Sequence, residues 1–236
     1  MKIDTVLFDL DGTLLPMDQE VFIKAYFGRL ARKLAPCGYE PDGLIKAIWA
    51  GMDAMINNDG KCTNEVAFWQ VFCGIYGERA LEDKPLFEDF YKNEFQGVKE
   101  SCGFEEKAAP LVRALKERGY RLVLATNPLF PAVATHSRIR WAGLEPEDFE
   151  WVTTYENSAF CKPNPEYYAE IVQRLGLDPA QCLMVGNDVG EDMIAEKLGM
   201  QVFLLTPCLI NRKNADIAQY AHGGFEALSA YMDEMP

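Results

Sequence analysis

Asp9 and Asp11 stand two residues apart in TVLFDLDGTLLP, residues 5–16, where a short apolar run meets two carboxylates and a glycine. Two like charges about 4 Å apart repel by roughly 4 kcal/mol at an effective dielectric of about 20, so a site that gathers them needs a cation. Carboxylate oxygens are hard ligands and suit Mg2+ with retained waters better than a soft metal. A carboxylate can also attack phosphorus and form an aspartyl phosphate. A second acid two residues on can protonate the leaving oxygen and later deprotonate the attacking water.

The other residues with matching chemistry lie far along the chain. Thr126 ends the apolar run YRLVLAT and Asn127 follows it, Lys162 sits in CKPNPEYY, and Asp188 and Asp192 sit one helical turn apart in GNDVGED. A threonine hydroxyl, backbone N–H groups and a lysine are the donors that hold the non-reacting oxygens of a transferring phosphoryl group. The helix that opens around Pro163–Pro165 adds its positive end. Each feature alone has an ordinary explanation: Asp-Gly is a turn signal, acids cap helices, and lysines are usually solvated. Together they call for one shared location.

Five apolar runs of strand length supply that location: residues 5–9, 120–126, 149–154, 182–187 and 201–206. Most are apolar on both faces, as strands of a helix-covered parallel sheet should be. Helical patterns that stop at Gly119, Gly143, Gly176 and Gly199 alternate with the later runs. The pattern predicts an α/β fold with a doubly wound, Rossmann-like parallel sheet, whose ligands sit outside the carboxyl ends of the strands. Three of the five runs end in the polar residues named above. Between residues 16 and 103 the pattern is helical throughout, with Ile23, Phe27, Leu30 and Leu34 on one stripe. The expected division is therefore a core of residues 1–15 and 104–236, with an inserted all-α helical cap domain at 16–103. Phe27, Trp49, Phe68, Trp69, Phe72 and Tyr76 read as that insertion's own core, and LINRKNADI, residues 209–217, as a solvated loop.

The 236 residues carry a formal net charge of −13, which argues against nucleic acid or an anionic membrane as partner. No run approaches the length of a membrane span, and the N-terminus lacks the pattern of a signal peptide. Seven cysteines without CxxC pairs read as reduced thiols, so a cytoplasmic protein is expected. His136 and His222 are too few for a typical zinc site.

DLDGTLL, LVLATN, CKPNPE and VGNDVGED resemble, in order and separation, the four motifs of the haloacid dehalogenase superfamily, whose smaller helical cap the insertion also resembles. The resemblance covers Met1 to Pro16 and about Gly103 to Pro207. It implies Asp9 as nucleophile, Asp11 as acid/base, and Thr126 and Lys162 as phosphate holders, with Gly12, Thr13 and Asn127 also binding substrate. It implies Mg2+ on the side chains of Asp9 and Asp188 and the backbone carbonyl of Asp11, with Asp192 behind them orienting Lys162 or a metal-bound water. Two departures are visible: Asn187 separates the glycine from Asp188, and Asp11 stands where dehalogenating members lack an acid. The expectation is a Mg2+-dependent phosphatase acting on a small phosphorylated metabolite. A phosphomutase and a pyrophosphatase or nucleotidase are alternatives on the same core, and a non-catalytic binding protein is the alternative of another class.

Overall fold

The computed structural model describes residues 2–234; Met1, Met235 and Pro236, at the ends of the expected core, lie outside them. Six strands form one parallel sheet: β1 (Thr5–Phe8), β2 (Arg121–Leu124), β3 (Trp151–Val152), β4 (Cys182–Gly186), β5 (Gln201–Leu205) and β6 (Ala221–Gly223). Their order is β3-β2-β1-β4-β5-β6, so β1 lies between β2 and β4. The chain winds out to one edge and back to the other, which places the switch in direction beside β1. Phe8 is in register with Leu124 on one side and Val185 on the other, so all three strands end at the same height.

Side chains of a strand alternate between faces, and the central strands bury both. Val6, Phe8, Leu122, Leu124, Leu183, Val185 and Phe203 belong to one apolar cluster. Leu7, Val123, Cys182 and Met184 pack on the other face against Tyr167, Tyr168 and Ile171 of α7 (Pro165–Leu175). The sequence reading differs here in three details. β6 was not expected. β3 is only two residues long. The stretch after Gly190 forms a 3-10 segment at Met193–Leu198 instead of an α-helix.

Between β1 and β2 run α1 (Gln19–Leu34), α2 (Pro41–Ile56), α3 (Asn64–Tyr76), α4 (Lys84–Lys92), a 3-10 segment at Glu94–Ser101, and α5 (Ala108–Glu117). Local chemistry starts these helices. Asp18 accepts from the Glu20 and Val21 amides at the head of α1, Glu40 caps α2 with Pro41 in its first turn, and Thr63 caps α3. Phe22, Tyr26, Phe27, Leu30 and Leu34 form the buried stripe of α1. The remaining helices are α6 (Ala132–Trp141) and α8 (Phe225–Glu234). Among the described residues, no helix is long and apolar enough to cross a membrane.

Candidate active site

The carboxyl ends of β1, β2 and β4 bring Asp9, Asp11, Thr126, Asn127, Asp188 and Asp192 to the lining of one cavity. The cause is the register: the Asp9 amide donates to Val185 O at 2.9 Å and the Ala125 amide to Phe8 O at 2.7 Å, so the three chain segments leave the sheet side by side. Lys162 enters from the loop before α7. Its ammonium is buried and donates to Asp9 Oδ1 at 2.9 Å and Asp192 Oδ1 at 2.6 Å. Burial opposes the charge on Lys162, but the carboxylates of Asp192 and Asp9 more than offset it, and its pKa lies well above the lysine range. Burial drives Asp9 the other way for an acid, up to about 7, with Lys162 pulling it down and Asp192 and Asp11 pushing it further up.

The rest of the cluster is built from the loops that follow the strands. Thr13 Oγ1 lies 3.1 Å from both Asp9 Oδ2 and Asn187 Oδ1. Asn187 also donates to Cys208 O at 2.7 Å, which ties the first loop to the last. Asn187 therefore bonds Thr13 and Cys208, and both it and the next residue, Asp188, line the cavity. Asp192 Oδ2 accepts from the Asp188 amide at 2.9 Å, and a methyl group on Gly186 would stand 2.1 Å from that same oxygen. Glycine lets the acid lie against the backbone. Asn127 engages the Lys162 amide and Glu191 Oε2, at 3.2 and 3.1 Å, so it positions the lysine from behind.

Four participants escape the sequence reading. Arg138, on α6, is fully buried and donates to Asp11 Oδ2. It lies over the Phe130 ring, with its carbon centre 4.4 Å from the ring centroid. It follows Ala134 by four residues and precedes Trp141 by three, and both neighbours are buried on the same face; an arginine on an apolar stripe was the available signal. Arg212, in the stretch read as a solvated loop, donates to Asp188 Oδ2 at 2.7 Å and to Gln19 at 3.1 Å. Phe27 and Trp49, read as core of the insertion, line the cavity, whereas Phe68, Trp69 and Phe72 pack as expected.

Charge decides whether a cation fits. Asp9, Asp11, Asp188, Glu191 and Asp192 line the cavity, and Lys162, Arg138 and Arg212 pair with them. Five carboxylates against three cations leave two negative charges when all are ionised, the complement of one divalent ion. Asp11 Oδ1 is buried without a hydrogen-bond partner among the described residues. No group of three or more His, Cys, Asp or Glu side chains among the described residues is arranged to hold a metal. Two carboxylates and one carbonyl, with waters completing the shell, are donors of the kind Mg2+ takes.

Residues 3–197 match the family model described as "Hydrolase: haloacid dehalogenase-like hydrolase". The chain is 24% identical over 230 residues to the pyrophosphatase PpaX of Bacillus velezensis (strain DSM 23117 / BGSC 10A6 / LMG 26770 / FZB42), covering 98% of this chain and 89% of that one. Its fold is similar to that of a HAD phosphatase from Thermococcus onnurineus, with a TM-score of 0.59 and 20% identity over 98% of each chain. It is also similar to the HAD-hydrolase YfnB from Bacillus subtilis, solved bound to magnesium, with a TM-score of 0.56, 19% identity and coverage of 99% and 100%.

Proposed function

The chain belongs to the haloacid dehalogenase-like hydrolases, and within that family we propose that it is a Mg2+-dependent phosphatase that hydrolyses a small phosphate monoester through a phospho-aspartate. The observation that carries this reading is the buried Lys162 ammonium bonded to Asp9 and Asp192, both of which line the cavity. A lysine so placed holds the Asp9 carboxylate in orientation and offers positive charge to the phosphoryl oxygens.

An Asp9 oxygen forms the new bond to phosphorus as the ester P–O bond breaks, and Asp11 gives its proton to the departing oxygen. Water then attacks the phosphorus of the acyl phosphate and gives its proton to Asp11. The Asp9–phosphorus bond breaks, releasing phosphate. Thr126 and Lys162 hold the non-reacting oxygens, and Asp192 keeps Lys162 charged and aimed. Asp9, Asp188 and the carbonyl of Asp11 are the residues that would hold Mg2+, which supplies charge neutralisation for the phosphoryl group. Residues 16–103 serve as a helical cap over a core of 1–15 and 104–236, since α1 and α2 furnish the outer wall of the cavity. The B. velezensis relative's name makes pyrophosphate a competing substrate.

The test is acid-quenched turnover of a radiolabelled phosphate ester. Wild-type protein should retain label and Asp9→Asn should retain none, with turnover lost by about four orders of magnitude or more, the scale of losing a nucleophile. Mg2+ should also raise the melting temperature of the wild type, by the equivalent of about 2.7 kcal/mol at a hundredfold excess over its dissociation constant, and do so less in Asp9→Asn. Turnover in Asp9→Asn at wild-type rate would end the nucleophile assignment.

A further inference from the structure

The part of the cavity wall that α1, α2 and the loop after β2 contribute is largely apolar. Ile23 and Phe27 of α1, Trp49 and Met52 of α2, and Leu129 and Phe130 of the loop after β2 line the cavity together with the acids. No lysine or arginine is among its lining residues within the described chain. The cations beside it are engaged with carboxylates: Lys162 with Asp9 and Asp192, Arg138 with Asp11, and Arg212 with Asp188. Tyr26 also faces the cavity, but its hydroxyl is bonded to the Tyr91 hydroxyl at 2.8 Å, which leaves mainly ring surface to offer.

From these features we infer that the leaving group is an uncharged, apolar alcohol about the size of one aromatic ring. The inference rests on the phosphatase reading and narrows it. The cavity measures about 170 Å3. An apolar cavity of about 150 Å3 accepts benzene, so one ring is the upper limit of what this space encloses. The phosphate leaving from pyrophosphate would carry charge against a wall that has no cation for it, and a sugar would turn several hydroxyls toward α1, α2 and Leu129–Phe130, where only Gln19 and the already bonded Tyr26 hydroxyl are polar. An apolar group exchanges water for ring and aliphatic contacts. Trp49 is partly exposed, at 40%, which puts an aromatic edge where a ring-bearing alcohol would pass to solvent.

Steady-state kinetics on the full chain with Mg2+ decides the matter. The substrates are phenethyl phosphate, ethyl phosphate, glycerol 1-phosphate, 2-phosphoglycolate and pyrophosphate. Phenethyl and ethyl alcohols leave with similar acidity, so their ranking reports on the wall instead of intrinsic reactivity. The expected kcat/KM for phenethyl phosphate exceeds that for ethyl phosphate by about 30-fold, the scale of filling an apolar pocket. It should exceed the values for the hydroxylated, carboxylated and pyrophosphate substrates as well. Ile23→Gln and Trp49→Ala should each reduce the phenethyl advantage about tenfold, mainly through KM.

Equal rates on phenethyl and ethyl phosphate, or a preference for phosphoglycolate or glycerol phosphate, overturns the inference and leaves the phosphatase reading standing, whereas a preference for pyrophosphate overturns both in favour of a pyrophosphatase. If none of the five is hydrolysed, the phosphatase reading falls, and calorimetric binding then judges the wall by itself. Tighter binding of phenethylphosphonate than of methylenediphosphonate upholds the apolar subsite. The reverse order ends it.

Discussion

Gly12 follows Asp11 with a backbone φ of +87°, and a methyl group there would stand 2.3 Å from the Asn187 side-chain nitrogen. Both facts ask for glycine: an L-residue resists this φ, and Asn187 is held by Cys208 O and cannot withdraw freely. Gly12→Ala should therefore destabilise the fold by about 1–3 kcal/mol, read as a lower urea midpoint at unchanged slope. Its turnover should fall as well, because the displaced loop carries Asp11 and Thr13. An unchanged midpoint would show that the loop relaxes at no cost. DxDGT and the acids of GNDVGED are legible as a set, because each alone passes for a turn or a helix cap and only their shared place after strands marks a site. Arg212 is not legible in that way, since a basic residue in a polar loop looks the same whether it meets water or Asp188.

At the scale of elements, α6 does more than cover the sheet. It carries Arg138 to Asp11, with Thr135 Oγ1 accepting from the same guanidinium at 3.2 Å and Phe130 beneath it. A planar, multi-donor group suits this site, and a lysine would satisfy only part of it. Arg138→Met should destabilise the protein by about 3 kcal/mol, toward the low end for breaking a buried pair because Asp11 keeps some access to solvent. Arg138→Lys should recover only a fraction of that stability. In both, kcat should fall by a larger factor than KM changes, since Arg138 bonds Asp11 and is not itself among the residues that line the cavity. Wild-type stability together with wild-type kcat in Arg138→Met would refute the positioning role. The alternation of strands and helices, and the helical run after β1, follow from apolar period and glycine stops. β6 eludes that reading because a three-residue strand is too short to show a period, while β3, expected over 149–154, pairs over two residues only.

Across the whole molecule, the helical layer and the sheet share one apolar cluster. It runs from Phe72 and Phe90 through Phe95 and Trp141 to Phe8 and Leu124. Backbone bonds also join the layers away from the two crossing strands: the Asn64 amide donates to Ser158 O at 2.9 Å and the Glu65 amide to Tyr155 O at 2.8 Å. Asn64 is fully buried, and its side-chain nitrogen lies 3.2 Å from Cys161 Sγ. Differential scanning calorimetry should accordingly show one cooperative transition, because neither layer buries its apolar surface alone. Two resolved transitions would mean that residues 16–103 fold independently.

Residue types and their order determined the family's chemistry here: paired acids after a strand, a lysine before a helix and a further acid pair, on an alternating α/β frame. Those features are local, written in strand period, cap residues and turn glycines, and survive without any knowledge of neighbours. Tertiary structure alone decided which cations answer which acids, and which aromatics of the insertion face Asp9 in place of one another. Burial is the reason. An arginine, a phenylalanine or a tryptophan has the same identity in a core, at a rim or in a cavity. Only the packing of α1, α2 and α6 against the carboxyl edge of the sheet assigns Arg138 to Asp11 and Phe27 and Trp49 to the space where a leaving group would lie.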